Sequence, residues 1–350
     1  MAIVEGSDQR IITGHKAVRD ALRDTTTYSS DLQGDADVRD YRQLPLEVDP
    51  PKHHLYRTAL GPYFVKPNVE KSVPEFKTHS EELLRNYFAS CNQDAVSNLV
   101  LPLVMRNLGT LYRRPQDVQE WISWGPDVWT AESETRDGRV LHEYLDRIHV
   151  EALTNPASDI WSEIARLEIQ GKVISEKEFR GIAGVMLAGG RDTVVKLFSG
   201  MLWHFANHPD DLSRIRVHQE LIPNAIQEFL RFLTPLPQMA RTTTPESSNK
   251  ELPDDRYVGI SFISANFDDS IFENPFVVNL ERDKNRHLSF GFGPHTCLGN
   301  HVTEVEARVF LKTLLETKFD WEIESSEITY HKHPYSVVPE TFKSLVLKSI

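Results

Sequence analysis

A chain of 350 residues with 40% hydrophobic and 26% charged side chains can bury a substantial core and has a globular composition. Its formal net charge of −12 argues against general nucleic-acid binding, and its two cysteines exclude a disulfide-built secreted scaffold. No stretch from Met1 to Asp20, or later, is apolar over the length a signal peptide or membrane span needs, which predicts a cytoplasmic chain with no membrane partner.

In chain order, Arg10-Ile11-Ile12-Thr13 reads as a short strand and is followed by a helix through Val18 and Leu22. Tyr28 to Val48 is polar and reads as loop. Asp49-Pro50-Pro51 is a helix-start signal, and His53 and Arg57, four apart, share one face of the helix it opens. From Val69 to Trp124 amphipathic helical patterns dominate, for example Leu83, Leu84, Tyr87 and Phe88, then Leu101, Leu103, Val104, Leu108 and Leu111. Cys91 closes the first of these as a packing residue. Trp121 to Glu132 and Val140 to Ala152 read as two more helices, joined by a polar connection from Ser133 to Gly138.

His142, Asp146 and His149 lie on one helical face with metal-ligand spacing, but the helix is charged around its surface, and such a stripe is more often solvated. Phe179 to Phe205 is the longest apolar helical run. It carries Gly189 and Gly190 in its interior, each costing roughly 1 kcal/mol against alanine, so a close approach or a local distortion is expected there. Glu228 and Arg231 are three apart on a further helix and can pair, and Pro235-Leu236-Pro237 ends it. Tyr257 to Ala265 alternates as a strand. Val302, Val305 and Val309 form one face of a late helix, and the end of the chain, Val337-Val338 to Leu347, reads as a hairpin. His331-Lys332-His333 is a second metal-capable cluster, more simply read as a solvated turn.

The most unusual stretch is Phe290-Gly291-Phe292-Gly293-Pro294-His295-Thr296-Cys297-Leu298-Gly299, which puts one cysteine in a glycine-bearing loop just before a helical pattern. Unpaired N–H groups and the positive end of the helix dipole favour the thiolate there, the form that binds metal. A lone thiolate cannot complete a tetrahedral zinc site, but it can be the single protein ligand of a haem iron. The alternative is a glycine-rich turn holding a structural cysteine.

Phe290, Gly293, Cys297 and Gly299 fill the pattern F-x-x-G-x-x-x-C-x-G, which resembles the haem-thiolate signature of the cytochrome P450 family, in its soluble bacterial form. The resemblance extends to Asp49-Pro50-Pro51-x-His53-x-x-x-Arg57, to Gly189-Gly190-Arg191-Asp192-Thr193, to Glu228-x-x-Arg231 and to Asn266-Phe267-Asp268-Asp269, and covers nearly the whole chain. It implies a mainly α fold with small β-sheets (α+β), residues 1–350 forming one haem domain, shortened at the N-terminus relative to most members. It implies haem b ligated by the metal-binding thiolate of Cys297, packed by Phe290 and Gly299, with His53, Arg57, Arg241 and His295 on its propionates. Asp192 and Thr193 are the implied proton-delivery pair, and Glu228 and Arg231 the implied structural pair. The arginine or histidine that joins that pair in the family is replaced by Val277, which puts local stability in doubt. Val185, Ala188, Leu236, Val337 and Val338 are the implied substrate contacts, suggesting a small apolar organic ligand.

The activity implied is insertion of one oxygen atom of O2 into the substrate, by hydroxylation or oxidative dealkylation. Electrons would come from a separate ferredoxin and an NAD(P)H-dependent ferredoxin reductase, received near Lys52, Lys66, Arg308 and Lys312. Two other readings stand beside it. One is a peroxide-using or isomerising haem enzyme, which the acid–hydroxyl pair argues against; the other is a non-catalytic haem sensor that keeps the fold.

Overall fold

The computed structural model describes residues 2–3, 10–31, 41–90, 93–125, 139–244 and 257–350. Cys91, most of the predicted 121–132 helix beyond its start, and the 133–138 connection lie outside the described residues.

The described strands are β1 (Ala2–Ile3), β2 (Arg10–Ile12), β3 (Tyr28–Ser29), β4 (Glu168–Ile169), β5 (Lys172–Val173), β6 (Gln238–Thr243), β7 (Tyr257–Ser261), β8 (Trp321–Tyr330) and β9 (Pro339–Ser349). They form a five-stranded sheet in the order β1-β2-β7-β6-β3 and two hairpins, β4-β5 and β8-β9. In the larger sheet β2 runs parallel to β7, and β6 runs antiparallel to β7 with Arg241 opposite Val258. The segment predicted as loop thus contributes one short strand, β3. The strand predicted over 257–265 stops at Ser261, because the Ser261 side chain accepts the Ser264 N–H and starts a helix instead.

The described α-helices are α1 (His15–Arg23), α2 (Lys52–Phe64), α3 (Lys66–Val69), α4 (Val73–Ala89), α5 (Leu101–Tyr112), α6 (Val118–Ser123), α7 (Arg139–Thr154), α8 (Ile160–Ile164), α9 (Glu176–Asn207), α10 (Pro209–Val217), α11 (Ile222–Leu233), α12 (Phe262–Asn266) and α13 (Asn300–Thr317). The chain is therefore mainly helical with small sheets, as its sequence predicts.

Helix α9 is the axis of the core. Ser175 caps it with a reciprocal Ser175–Glu178 capping box, satisfying N–H groups that the helix itself leaves without partners. Leu197, Phe198, Met201 and Leu202 are fully buried along it, and Phe198 stacks on Phe310 of α13 with ring centroids 4.4 Å apart. Helix α2 begins after two prolines and buries His53, Tyr56, Leu60 and Phe64, a spacing of three and four that turns one face inward.

Under the loops beside α11, Glu228 and Arg231 are fully buried and meet through two hydrogen bonds, at 2.9 and 2.8 Å. Arg231 also donates to the carbonyl oxygens of Asn266, Pro275 and Val277. The third member of this cluster is Arg282, whose Nε donates to Glu228 Oε2 at 2.9 Å. This corrects the expectation that the partner is lost at Val277. Val277 contributes its backbone carbonyl, and the cation reaches in from five residues further along an irregular segment.

Candidate active site

The cysteine loop is set by backbone geometry. Gly293 has φ +75°, and a Cβ there would stand 2.9 Å from the Leu22 carbonyl oxygen, so any larger residue is opposed by both conformation and contact. The Thr296 N–H closes back onto Gly293 O at 3.1 Å and the Cys297 N–H onto Phe290 O at 2.7 Å. These bonds fix the thiol just ahead of Gly299, the N-cap of α13.

Cys297 is exposed, and its exposure is toward a cavity that it lines with Phe290, Leu298, Gly299, Val302 and Thr303. Burial by the surrounding loop pushes the thiol pKa up, while the Gly299 N–H and the Arg57 guanidinium act to lower it. In the protein alone the Gly299 N–H and the Arg57 cation thus act in the direction the sequence leads one to expect, and burial acts against them. A metal ion at the sulfur would reverse the balance, because a coordinated thiol is deprotonated outright. Among the described residues no group of three or more His, Cys, Asp or Glu side chains is placed to hold a metal ion, which leaves Cys297 as a single donor. Of the sequence candidates, Asp146 pairs with Arg180 at 2.7 Å, His149 packs on Phe179 and His142 on Tyr41. His331 lies 3.7 Å from Glu340.

Four basic side chains from three elements reach the same cavity: His53 and Arg57 from α2, Arg241 from β6, and His295 from the loop. The His53 and His295 rings are 4.1 Å apart, and the buried Nε2 of each has no hydrogen-bond partner among the described residues. Burial, then the neighbouring cations, hold His53 down to about 4 and His295 to about 3. Burial also lowers Arg57 and Arg241. Such a cluster is short of negative charge. With the lone thiol and the open side of Gly299, where a Cβ would meet nothing nearer than the Cys297 sulfur at 3.9 Å, it fits a flat, dianionic group held through one sulfur.

Helix α9 supplies Val185, Met186, Gly189, Gly190, Thr193 and Val194 to the cavity. The two helical glycines have different reasons. A Cβ on Gly190 would lie 2.9 Å from Leu108 Cδ2, so that position serves the crossing with α5; a Cβ on Gly189 would meet nothing within 4 Å and faces open space. Thr193 lines the cavity with its hydroxyl donated to Gly189 O at 2.9 Å. Asp192 is not brought to the cavity: it is exposed and lies 3.4 Å from Arg191.

Of the predicted substrate contacts, Val185 and Leu236 line the cavity. Ala188, Val337 and Val338 do not. Ala188 faces another side of α9, and the two valines sit in the β8-β9 turn, Val338 buried in the core and Val337 exposed. Sequence reasoning missed Leu44, Leu46, Met186 and Met239, which complete the apolar wall, and Glu306, a buried acid in it. The signal for Glu306 was available: it interrupts an otherwise apolar helix face, four residues after Val302 and three before Val309.

The family model described as Cytochrome P450 matches residues 141–345. A steroid C26-monooxygenase of Mycolicibacterium smegmatis is 26% identical over 318 residues, covering 87% of this chain and 79% of the relative. A probable cytochrome P450 127A1 of Sinorhizobium fredii is 28% identical over 355 residues, covering 95% and 83%. The solved structure of a carbohydrate active P450 superposes with a TM-score of 0.87 at 28% identity, covering 96% of this chain and 91% of that one. With the thiol, the basic cluster and the glycine-bearing helix in their places around one cavity, these matches make the chain a member of the cytochrome P450 family, the haem-thiolate monooxygenases.

Proposed function

We propose that the protein binds haem b through Cys297 and inserts one oxygen atom from O2 into a small, largely apolar organic substrate, by hydroxylation or oxidative dealkylation. The observation that carries this reading is the lone Cys297 thiol facing the cavity beside His53, Arg57, Arg241 and His295. These four would neutralise the two propionates through charge-assisted hydrogen bonds, using the ring nitrogens that otherwise lack partners. When bound, the haem supplies O2 activation, with the thiolate favouring O–O cleavage.

The protein's own part is positioning. Leu44, Leu46, Val185, Met186, Leu236 and Met239 offer apolar contact and exclude water from the reacting region. Thr193 holds a hydroxyl on the cavity face of α9. Asp192, exposed on the same helix, would be the solvent-side member of the pair. The named substrates of relatives, a steroid in one and carbohydrate in another, differ too much to choose between; the apolar lining favours an apolar ligand.

Electrons would come from a ferredoxin and its NAD(P)H-dependent reductase. Lys52, Lys66 and Lys312 are exposed for an acidic partner, whereas Arg308 is engaged by Glu70 at 2.7 Å. No helix among the described residues is long and apolar enough to cross a membrane. Turnover with a ferredoxin, a reductase, NAD(P)H and a panel of apolar ligands tests the reading. Product that depends on all three components supports it, and Thr193→Ala should then divert electrons to peroxide. Product formed with peroxide alone, and none with the reductase chain, would favour a peroxide-using enzyme.

A further inference from the structure

Lys196 interrupts the apolar run of α9 between Val195 and Leu197, and it is 8% exposed. Its Nζ donates to Thr234 O at 3.3 Å, the one hydrogen bond it makes among the described residues. Burying an ammonium costs free energy that leucine or methionine would not cost here, so filling space does not account for it.

Thr234 caps the end of α11 in the left-handed conformation, φ +38°, and leads straight into Pro235 and Leu236, which line the cavity. This corner is tied from several sides. Leu230 O accepts the Ser289 hydroxyl at 2.7 Å, Arg231 O accepts the Thr234 hydroxyl at 2.7 Å, and Asn266 Nδ2 donates to Thr234 Oγ1 at 2.9 Å. Lys196 is the tie that comes from α9, and the one that carries a charge, which suits the negative end of a helix.

Glu340 on β9, half-exposed, acts to keep the amine charged, while burial pushes it down to about 8. His331, just past β8, stands 3.7 Å from Glu340; burial, then Lys196, hold it down to about 4, so it is neutral at neutral pH and above. Asp192, four residues back on α9, lies 3.4 Å from Arg191, and Arg231 on α11 is paired with Glu228. Lys196 is therefore the group of this corner that changes charge in mildly alkaline solution.

We propose that Lys196 is a specificity-determining positioning residue, whose ammonium clamps the Thr234-Pro235-Leu236 corner against α9 and so sets how Leu236 bounds the cavity. The proposal rests on the reading of this cavity as a haem and substrate site. Lys196 touches neither haem nor substrate; it acts through Leu236. Losing its proton removes the charge that faces both Thr234 O and Glu340, and the corner relaxes. Ligands large enough to meet Leu236 feel the change, and ligands confined to the haem do not.

The test is the affinity of the haem-loaded protein for 4-phenylimidazole relative to imidazole, each read from the visible absorption shift and referred to the neutral ligand. In wild type this ratio should fall as the pH rises through about 8. Lys196→Met, close in length and apolar, should keep the carbon monoxide spectrum and the imidazole affinity, lower the ratio about three- to ten-fold and remove its pH dependence. Glu340→Gln should move the wild-type midpoint downward, because a carboxylate that favours the ammonium is gone. Leu236→Ala should also lower the ratio, and adding Lys196→Met to it should lower the ratio little further, since the two act as one unit.

A wild-type ratio that does not change with pH, a ratio blind to Leu236→Ala, or effects of the two substitutions that simply multiply would each overturn the proposal; a lysine that only supports the fold gives the last of these. Failure of the haem reading looks different: the protein then takes up no haem, or neither ligand shifts its spectrum, and the proposal falls with it. The predicted ratios without any product from the reductase chain would sink the monooxygenase reading and leave the clamp standing.

Discussion

His53 and His295 face each other with ring centroids 4.1 Å apart, and each keeps a buried Nε2 without a hydrogen-bond partner among the described residues. Charging either ring this close to the other, with Arg57 and Arg241 beside the same cavity, is opposed unless a negative group joins them. Removing one should therefore weaken haem binding more than it weakens the fold. A hydrogen bond to a charged group contributes about 1.5–3 kcal/mol, so His53→Ala or Arg57→Ala should lose haem to a scavenger protein about ten- to hundred-fold faster than wild type. The urea midpoint of the haem-free protein should move little or rise.

The buried Glu228–Arg231 pair makes the opposite prediction. Both side chains are fully buried, and Arg282 completes the set through Glu228 Oε2. Breaking a buried ion pair by removing one partner costs about 3–5 kcal/mol. Arg231→Ala should leave little folded protein, and Arg282→Ala, which removes a partly exposed partner, should lower the urea-denaturation free energy by about 2 kcal/mol. Val277→Ala should be nearly neutral in the same measurement, because Val277 takes part only through its carbonyl.

The two glycines of α9 separate packing from site. Gly189→Ala meets open space and should stabilise the haem-free protein by about 0.5–1 kcal/mol through helix propensity, while narrowing the cavity. Gly190→Ala drives a methyl group against Leu108, and its gain in propensity is offset by about 1–3 kcal/mol of overpacking. Thermal unfolding of the two haem-free variants should rank Gly189→Ala above Gly190→Ala.

How much of this is legible in the sequence depends on how local the information is. The loop around Cys297, the α2 start at Pro50-Pro51 and the Glu228–Arg231 spacing are set by neighbours in the chain, and the structure has each at the place the sequence indicates. Arg282 is not legible, because the segment from Asp268 to Phe290 has no periodicity to carry a register, and the cation arrives from the far side of that irregular path. Asp192 and Thr193 read as one unit in the sequence, yet successive helical residues point about 100° apart. Gly189 and Thr193, four apart, share the cavity face, and Asp192 does not. Val337 and Val338 miss the cavity for a similar reason: a turn between strands has no pattern that says which side meets a cavity.

His287 makes the pH prediction. Its Nε2 lies 2.8 Å from Gln227 Oε1 and its Nδ1 accepts the Ser289 N–H at 3.2 Å, so the ring is held neutral. Burial first, and then Arg231, lower it from the ordinary 6.5 to about 4. Between those values the unfolded chain binds a proton that the folded chain does not, so stability present at neutral pH is lost as the pH falls from 6.5 toward 4. Denaturation curves across this window should show a steeper acid loss for wild type than for His287→Gln, by up to about 1 kcal/mol per pH unit. Equal slopes would mean that His287 takes up its proton in the fold.

The central claim is that Cys297 would hold a haem in this cavity through its sulfur, and the visible absorption spectrum of the reduced protein under carbon monoxide tests it most directly. The account predicts the red-shifted band of thiolate ligation in wild type and its loss in Cys297→Ser. A spectrum of histidine ligation, or a band that survives Cys297→Ser, would contradict it.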